Sequence, residues 1–294
     1  MSKVLVLGDM GLDIYHVGRV RGMSAEVPIP ILDQTDQFEL PAMAGNVVQN
    51  LQSLGVDVGA IITSHFPKKH RLMTVDGVQL ARWDEEDYCL PYEGEVDLPP
   101  DTEVIVVAGY GKGSLPIGVV ETIVASGLFL LVDTKSTPAP FLPASDRIVL
   151  FPNRVEYEKY AEEYSWFPCV IVKCGKDGVE IRSYGEVVYS NYSFSSHPIC
   201  VNGAGDTFLA GFVAGLCRTS DFPLHPIMCA LAASANVVEQ PFFQRTTTME
   251  AVDARLKEAG VLRYEEYAAA PPPDHAPPQF GGVDALLSED VLTQ

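Results

Sequence analysis

The sequence predicts an α/β fold: an open, mostly parallel sheet flanked by helices, with a small β lid. Three observations carry that prediction. Five short runs, at residues 4–7, 104–108, 128–132, 148–151 and 170–173, are nearly continuous in Val, Ile and Leu rather than alternating. Strands buried on both faces of a parallel sheet have that composition. Helical stretches at residues 45–54, 117–126, 155–164, 204–217, 226–238 and 249–259 fall between or after these runs. Such alternation argues for helices packed on an open sheet. Residues 14–40 and 72–83 break the pattern and read as strands and turns outside the main sheet.

Local chemistry supports each element in turn. The first strand runs into Gly8-Asp9-Met10-Gly11-Leu12-Asp13, which fails the GxGxxG dinucleotide pattern. Carboxylates at the C-terminal end of a strand suit hydrogen bonds to sugar hydroxyls. Residues 27–32 carry alternating prolines, which cannot donate to a sheet ladder, so the stretch is an edge strand or a lid element. Asp76-Gly77 is a hairpin turn dipeptide inside 72–83. The strand at 104–108 leads to Gly109-Tyr110-Gly111-Lys112-Gly113-Ser114, which fails the P-loop pattern because Lys112 is followed by glycine. After residue 262 the chain turns proline-rich (AAAPPPDHAPP), so 263–294 reads as an extended, flexible tail behind one domain at 1–262.

Composition narrows the function classes. The 294 residues suit one domain with a small lid. No apolar run reaches membrane-spanning length, and the N-terminus lacks a signal-peptide pattern. The formal net charge is −19, from 20 Lys+Arg against 39 Asp+Glu, which would repel a phosphate backbone and excludes general nucleic-acid binding. Six cysteines without a CxxC pair read as free thiols in a reducing cytoplasm. The six histidines form no zinc-ligand cluster.

The chemistry concentrates in Val201-Asn202-Gly203-Ala204-Gly205-Asp206-Thr207-Phe208, ahead of an apolar helix. Gly203 and Gly205 permit close backbone approach. Free N–H groups at the helix start form an anion hole. Asp206, in the first turn, is placed to act as a general base toward a hydroxyl while the hole holds a phosphoryl group, or else simply caps the helix. Asn153 and Glu156 open another helix after an apolar strand and can hold Mg²⁺ directly or through water, beside nucleotide phosphates. In so acidic a chain, Arg19, Arg21, Lys68, Lys69, Arg71, Lys112 and Lys135 are the candidates to pair with a distal phosphate of a substrate. The dense run Lys68–Arg71 reads as a solvated surface turn.

In this order the segments resemble the ribokinase-like (PfkB) carbohydrate kinase family, whose C-terminal signature is GAGDTF. Within it the likeness runs to the kinases of D-glycero-β-D-manno-heptose 7-phosphate, in lipopolysaccharide-precursor synthesis. It is carried by GDMGLDIYHVGRVRGMSAEVPIPI, RLMTVDGVQLARWDEED, AGYGKGSL, VDTKST and LFPNRVEYE. The resemblance implies a ribokinase-like sheet and a kinase using ATP and Mg²⁺ on a small-molecule sugar or sugar phosphate. Asp206 would be the catalytic base, with Gly203, Ala204 and Gly205 as the anion hole. Asn153 and Glu156 would organise Mg²⁺ and phosphate. Asp13 and Asn46 would bind sugar hydroxyls, and Lys112 and Lys135 the substrate's charge. Gly175 and Asn236 would lie at the nucleotide. A homodimer through the lid is implied as well. The alternatives are a kinase for another sugar or a nucleoside, and a catalytically lapsed scaffold of the same fold.

The chain departs from that family in four places. Ala42 and Met43 replace the glycines that usually precede the sugar-binding Asn. Cys200 and Asn202 replace Asp and Thr before GAGD, against monovalent-cation activation. Lys173 stands where a small hydroxyl residue is common. The connection between residues 55 and 70 is shorter than in the family, so a remodelled sheet edge and sugar pocket are expected.

Overall fold

The computed structural model describes residues 3–61, 65–135, 142–218 and 222–261. The expected tail at 263–294 lies outside them. Among the described residues the main sheet has eight strands. Their spatial order is β12 (Glu186–Asn191), β11 (Val179–Ser183), β10 (Val170–Lys173), β9 (Ile148–Leu150), β8 (Phe129–Thr134), β7 (Thr102–Gly109), β1 (Lys3–Gly8) and β4 (Val58–Ile61). The pairs from β10 to β4 are parallel, and β11 and β12 add an antiparallel end.

The unbroken apolar runs have a simple explanation. Val4 and Val6 of β1 enter one core while Leu5 and Leu7 enter the other. The first core lies under α1 (Ala44–Ser53), α5 (Ala204–Leu216), α6 (Leu224–Val238) and α7 (Met249–Glu258). The second lies under α2 (Ile117–Ala125), α3 (Arg154–Lys159) and α4 (Ala161–Tyr164). Helices α5 and α6 touch closely at Gly211: a Cβ there would sit 2.7 Å from the Ala233 Cβ and 2.9 Å from the Cys229 carbonyl oxygen.

A second sheet of four strands, β3 (Pro30–Met43), β2 (Met10–Met23), β5 (Lys68–Thr74) and β6 (Gln79–Glu85), forms the lid. Pro30 starts the edge strand β3, as the prolines require. Gly77, φ 85°, makes the turn between β5 and β6. Tyr15, Val17 and Met73 meet Phe242 in a satellite core that ties the lid to the main body.

Several expectations are corrected. The single helix at 155–164 is two short helices, because Tyr160 leaves the helical region (φ −127°, ψ 36°). Strand β4 lies in the stretch read as a connection, and β11 and β12 lie outside the runs picked out from the sequence. The basic run at 68–71 is no surface turn but strand β5, so its side chains alternate. Lys69 and Arg71 face the cavity described below, while Lys68 and His70 bond Glu85 on the other face. The shortened connection leaves β4 as the sheet's edge.

Candidate active site

The C-terminal ends of β1, β7, β8 and β10 converge under the lid. Asp9, just past β1, is 2% exposed and its carboxylate accepts from the backbone N–H groups of Tyr110 (2.7 Å), Lys112 (2.9 Å) and Ser114 (3.0 Å). It therefore shapes the glycine-rich loop after β7 and has little capacity left for a sugar. Gly111 and Gly113 supply the positive φ that this loop needs.

Helix α5 begins at the opposite wall. Gly203 is its left-handed N-cap, φ 79°. A Cβ on Gly203 would lie 2.7 Å from Asn46 Nδ2 and 2.8 Å from Arg245 Nη2, so only glycine fits. The helical ladder starts with the Thr207 N–H on the Gly203 carbonyl. The N–H groups of Gly205 and Asp206 thus remain open to the cavity. Asp206 is 7% exposed. Its Oδ2 accepts from Asn46 Nδ2 at 2.8 Å, and its Oδ1 accepts from the Tyr110 hydroxyl. Burial pushes the Asp206 carboxyl above its ordinary range, and these two hydrogen bonds oppose that shift only partly. Burial and the Asp206 charge hold the Tyr110 phenol well above its usual range, so it stays a donor.

Cations line the rest of the cavity, which encloses about 400 Å³. Asp13, 2% exposed, is held between two arginines. Arg71 donates to Oδ1 from Nε (3.2 Å) and Nη2 (3.1 Å), and Arg245 donates to Oδ2 at 2.6 Å. Lys173 is ion-paired with Asp133. Lys135 pairs with Glu156 at 2.7 Å and lies over the Tyr110 ring at 5.2 Å. Lys69 lies near the same ring, 5.8 Å away, and its burial lowers its pKa.

Asn153 and Glu156 form a reciprocal cap on α3: the Glu156 N–H donates to Asn153 Oδ1 (2.9 Å) and the Asn153 N–H donates to Glu156 Oε2 (2.8 Å). The cap and Lys135 engage the Asn153 oxygen and both Glu156 oxygens. The carboxylate oxygen with room for a further partner is Asp133 Oδ1, buried and unbonded. Among the described residues no group of three or more His, Cys, Asp or Glu side chains converges on a metal position. A divalent ion would therefore fit here through its water shell, beside Asp133, rather than in a protein cage.

Of the residues expected from sequence, Asp206, Gly203, Ala204, Gly205, Asp13, Lys135, Asn153 and Gly175 line this one cavity. Asn46 and Glu156 support it through Asp206 and Lys135. Two others are placed elsewhere. Lys112 pairs with Asp87 at 2.6 Å. Asn236 bonds Thr247 and Arg255 between α6 and α7. Ala42 and Met43 do reach the cavity wall, and Met43 adopts φ 59°, ψ −130°, a conformation suited to glycine. Sequence reasoning missed Tyr110, Asp133 and Arg245. Tyr110 and Asp133 each stand at a strand end, which was a usable signal; Arg245 had none.

No family model matches the chain. Among curated proteins it is similar to the bifunctional protein HldE of Nitrosococcus oceani, 24% identical over 318 residues, covering 90% of this chain and 67% of that protein. It is also similar to the bifunctional protein HldE of Acidiphilium cryptum, 28% identical over 280 residues, 76% of this chain and 57% of that protein. The chain thus spans about two thirds or less of the length of these relatives. Among solved structures, ribokinase from Thermotoga maritima superposes with a TM-score of 0.62 at 16% identity, covering 87% of this chain and all of that one. Arabidopsis thaliana ribokinase complexed with ribose and ATP gives 0.64 at 14% identity, covering 87% and 99%. Burkholderia thailandensis nucleoside kinase in complex with inosine gives 0.60 at 15%, covering 88% and 98%. The chain is a ribokinase-fold protein with HldE proteins as its sequence relatives.

Proposed function

We propose that the chain is an ATP-dependent carbohydrate kinase whose acceptor is a sugar phosphate, first of all heptose 7-phosphate, converted to the 1,7-bisphosphate. One observation carries this reading: a buried carboxylate, Asp206, stands at an open helix N-terminus and faces a cavity walled by Lys69, Arg71, Lys135, Lys173 and Arg245. In the proposed reaction the acceptor hydroxyl oxygen attacks the γ-phosphorus. Its proton passes to the Asp206 carboxylate, the new O–P bond forms, and the bond between the γ-phosphorus and the β–γ bridging oxygen breaks to release ADP. Tyr110 and Asn46 hold the carboxylate in position. The N–H groups of Gly205 and Asp206 face the developing charge on the phosphoryl oxygens. Mg²⁺, when bound with the nucleotide, supplies charge neutralisation between its phosphates.

Asp13 and Asn46 border the acceptor's place, with Asp13 set by its two arginines. Lys69 favours a phosphorylated acceptor over a nucleoside, because Arg71, Arg245, Lys135 and Lys173 are each paired with a carboxylate. Lys69 is the natural anchor for a distal phosphate, since it has no carboxylate partner among the described residues. The six free thiols suit a reducing compartment, the cytoplasm. The outer lid face, with Trp83 half-exposed, is where two copies would join as a homodimer.

The test is an acceptor panel. With Mg-ATP present, heptose 7-phosphate should release ADP at least tenfold more efficiently, by kcat/KM, than the unphosphorylated sugar, ribose or inosine. A preference for inosine or ribose would replace the sugar-phosphate reading. Failure of every acceptor would favour the scaffold alternative.

A further inference from the structure

The cavity's cations are not equivalent. Arg71 and Arg245 are spent on Asp13, whose two oxygens are both used. Lys135 is spent on Glu156, itself committed to the α3 cap. Lys173 is bound differently. It ends β10, is 10% exposed, and its ammonium contacts a single oxygen of Asp133. The other Asp133 oxygen is buried without a partner, in a residue only 4% exposed. An ammonium has three donors, so one bond to Asp133 leaves two. Those two have an obvious direction. The Lys173 Nζ lies 3.6 Å from the position a Cβ of Gly205 would occupy. Gly205 carries one of the open N–H groups at the start of α5. Across the same helix start, Arg245 packs against Gly203, and its Nε is also buried without a partner. Lys173, at the end of β10, and Arg245, in the segment between α6 and α7, thus flank the first turn of α5 and line the same cavity.

We propose that Lys173 donates to the terminal phosphoryl group of the bound nucleoside triphosphate, with Asp133 holding its ammonium in place. The inference rests on the kinase reading above and adds to it a cation of the chain's own. Asp133 restricts the lysine to one orientation, so its charge is pre-aimed at the phosphoryl oxygens. Lys173 forms no covalent bond. Its hydrogen bonds strengthen as charge gathers on the phosphoryl oxygens during transfer. The competing account is purely structural: Lys173 is there to neutralise a buried Asp133, because an unpaired buried charge is destabilising.

The two accounts separate in the paired variant Lys173→Met with Asp133→Asn, which leaves neither charge unpaired, set against Asp133→Asn alone, which removes any contact of Asp133 with a bound ion but keeps the lysine. Calorimetric titrations of the full chain with magnesium-ATP and magnesium-ADP are compared with wild type, and kcat is measured on the best acceptor. The proposal expects an unchanged Kd for ADP and a Kd for ATP weakened about tenfold or more. It also expects kcat about 10²-fold lower. Wild-type affinity for ATP together with wild-type kcat in the paired variant would overturn it. Lys173→Gln alone gives the same nucleotide comparison if the paired variant does not fold. The titrations need no acceptor, so a wrong sugar leaves this test intact. Wild-type protein that binds neither nucleotide would overturn the kinase reading, and this inference with it.

Discussion

At the residue scale the account turns on Asp206. Its pKa is raised chiefly by burial, so the folded state prefers the protonated carboxyl relative to the unfolded chain. The stability it contributes is complete below the ordinary carboxylate range and is lost as pH rises through its elevated folded pKa. Asp206→Asn, which removes the charge, should therefore raise the melting temperature at neutral pH. That gain should shrink toward acid pH, as melting curves across pH would show. The same change should lower kcat by about 10²–10⁴-fold, the usual contribution of a general base. Tyr110→Phe removes a hydrogen bond that lowers the Asp206 pKa. The acid limb of its kcat/KM–pH profile should move to higher pH relative to wild type, and an unmoved limb would count against Asp206 as the titrating base. The legibility of these residues follows sequence distance. Gly203, Gly205 and Asp206 are neighbours in the chain and share a recognisable pattern. Tyr110 meets Asp206 from 96 residues away, and Arg245 meets Asp13 from 232 residues away. Only the sheet order brings those pairs together, and no local pattern records it.

At the element scale, helix packing and loop tethering decide stability. The α5–α6 contact at Gly211 leaves no room for a side chain. Gly211→Val should lower stability by about 1–3 kcal/mol through overpacking, measured by urea denaturation. Glu239, after α6, accepts from Arg255 of α7 at 2.6 Å and from the Ser196 N–H. The Arg255 hydrogen bond is the main reason its pKa falls to about 2. A depressed folded pKa contributes stability above the ordinary glutamate range that is lost as pH falls toward 2. Glu239→Gln should therefore lower the melting temperature at neutral pH and converge with wild type in acid, modestly, because the pair is partly exposed. The parallel strands were legible because both faces are buried and the runs are unbroken. Strand β12 was not, since its residues are half-buried or exposed and its composition is mixed. The break at Tyr160 was invisible because no Gly or Pro marks it.

At the scale of the whole molecule, charge and architecture act together. A net charge of −19 repels itself, and salt screens that repulsion. Added sodium chloride should raise the melting temperature of the whole chain, while the buried pairs of the cavity respond little. The lid covers the strand ends, and its satellite core on Phe242 joins it to the segment after α6. Asp206 and the cations of the cavity thus lie between two sheets that the sequence already separated into a parallel body and a β lid. The expected resemblance to carbohydrate kinases is matched by ribokinase-fold neighbours and HldE relatives. What remained hidden is how the lid's basic strand alternates, because a run of four charged residues reads as solvated until its partner strands are known.

The role proposed for Asp206 is that of the base in a sugar-phosphate kinase. It is tested most directly by acceptor-dependent ADP release from Mg-ATP with D-glycero-D-manno-heptose 7-phosphate, with wild type and Asp206→Asn side by side. Release is expected from wild type, with a loss of about 10²–10⁴-fold in the variant, which melts no lower than wild type at neutral pH. Wild-type rates in Asp206→Asn would contradict it.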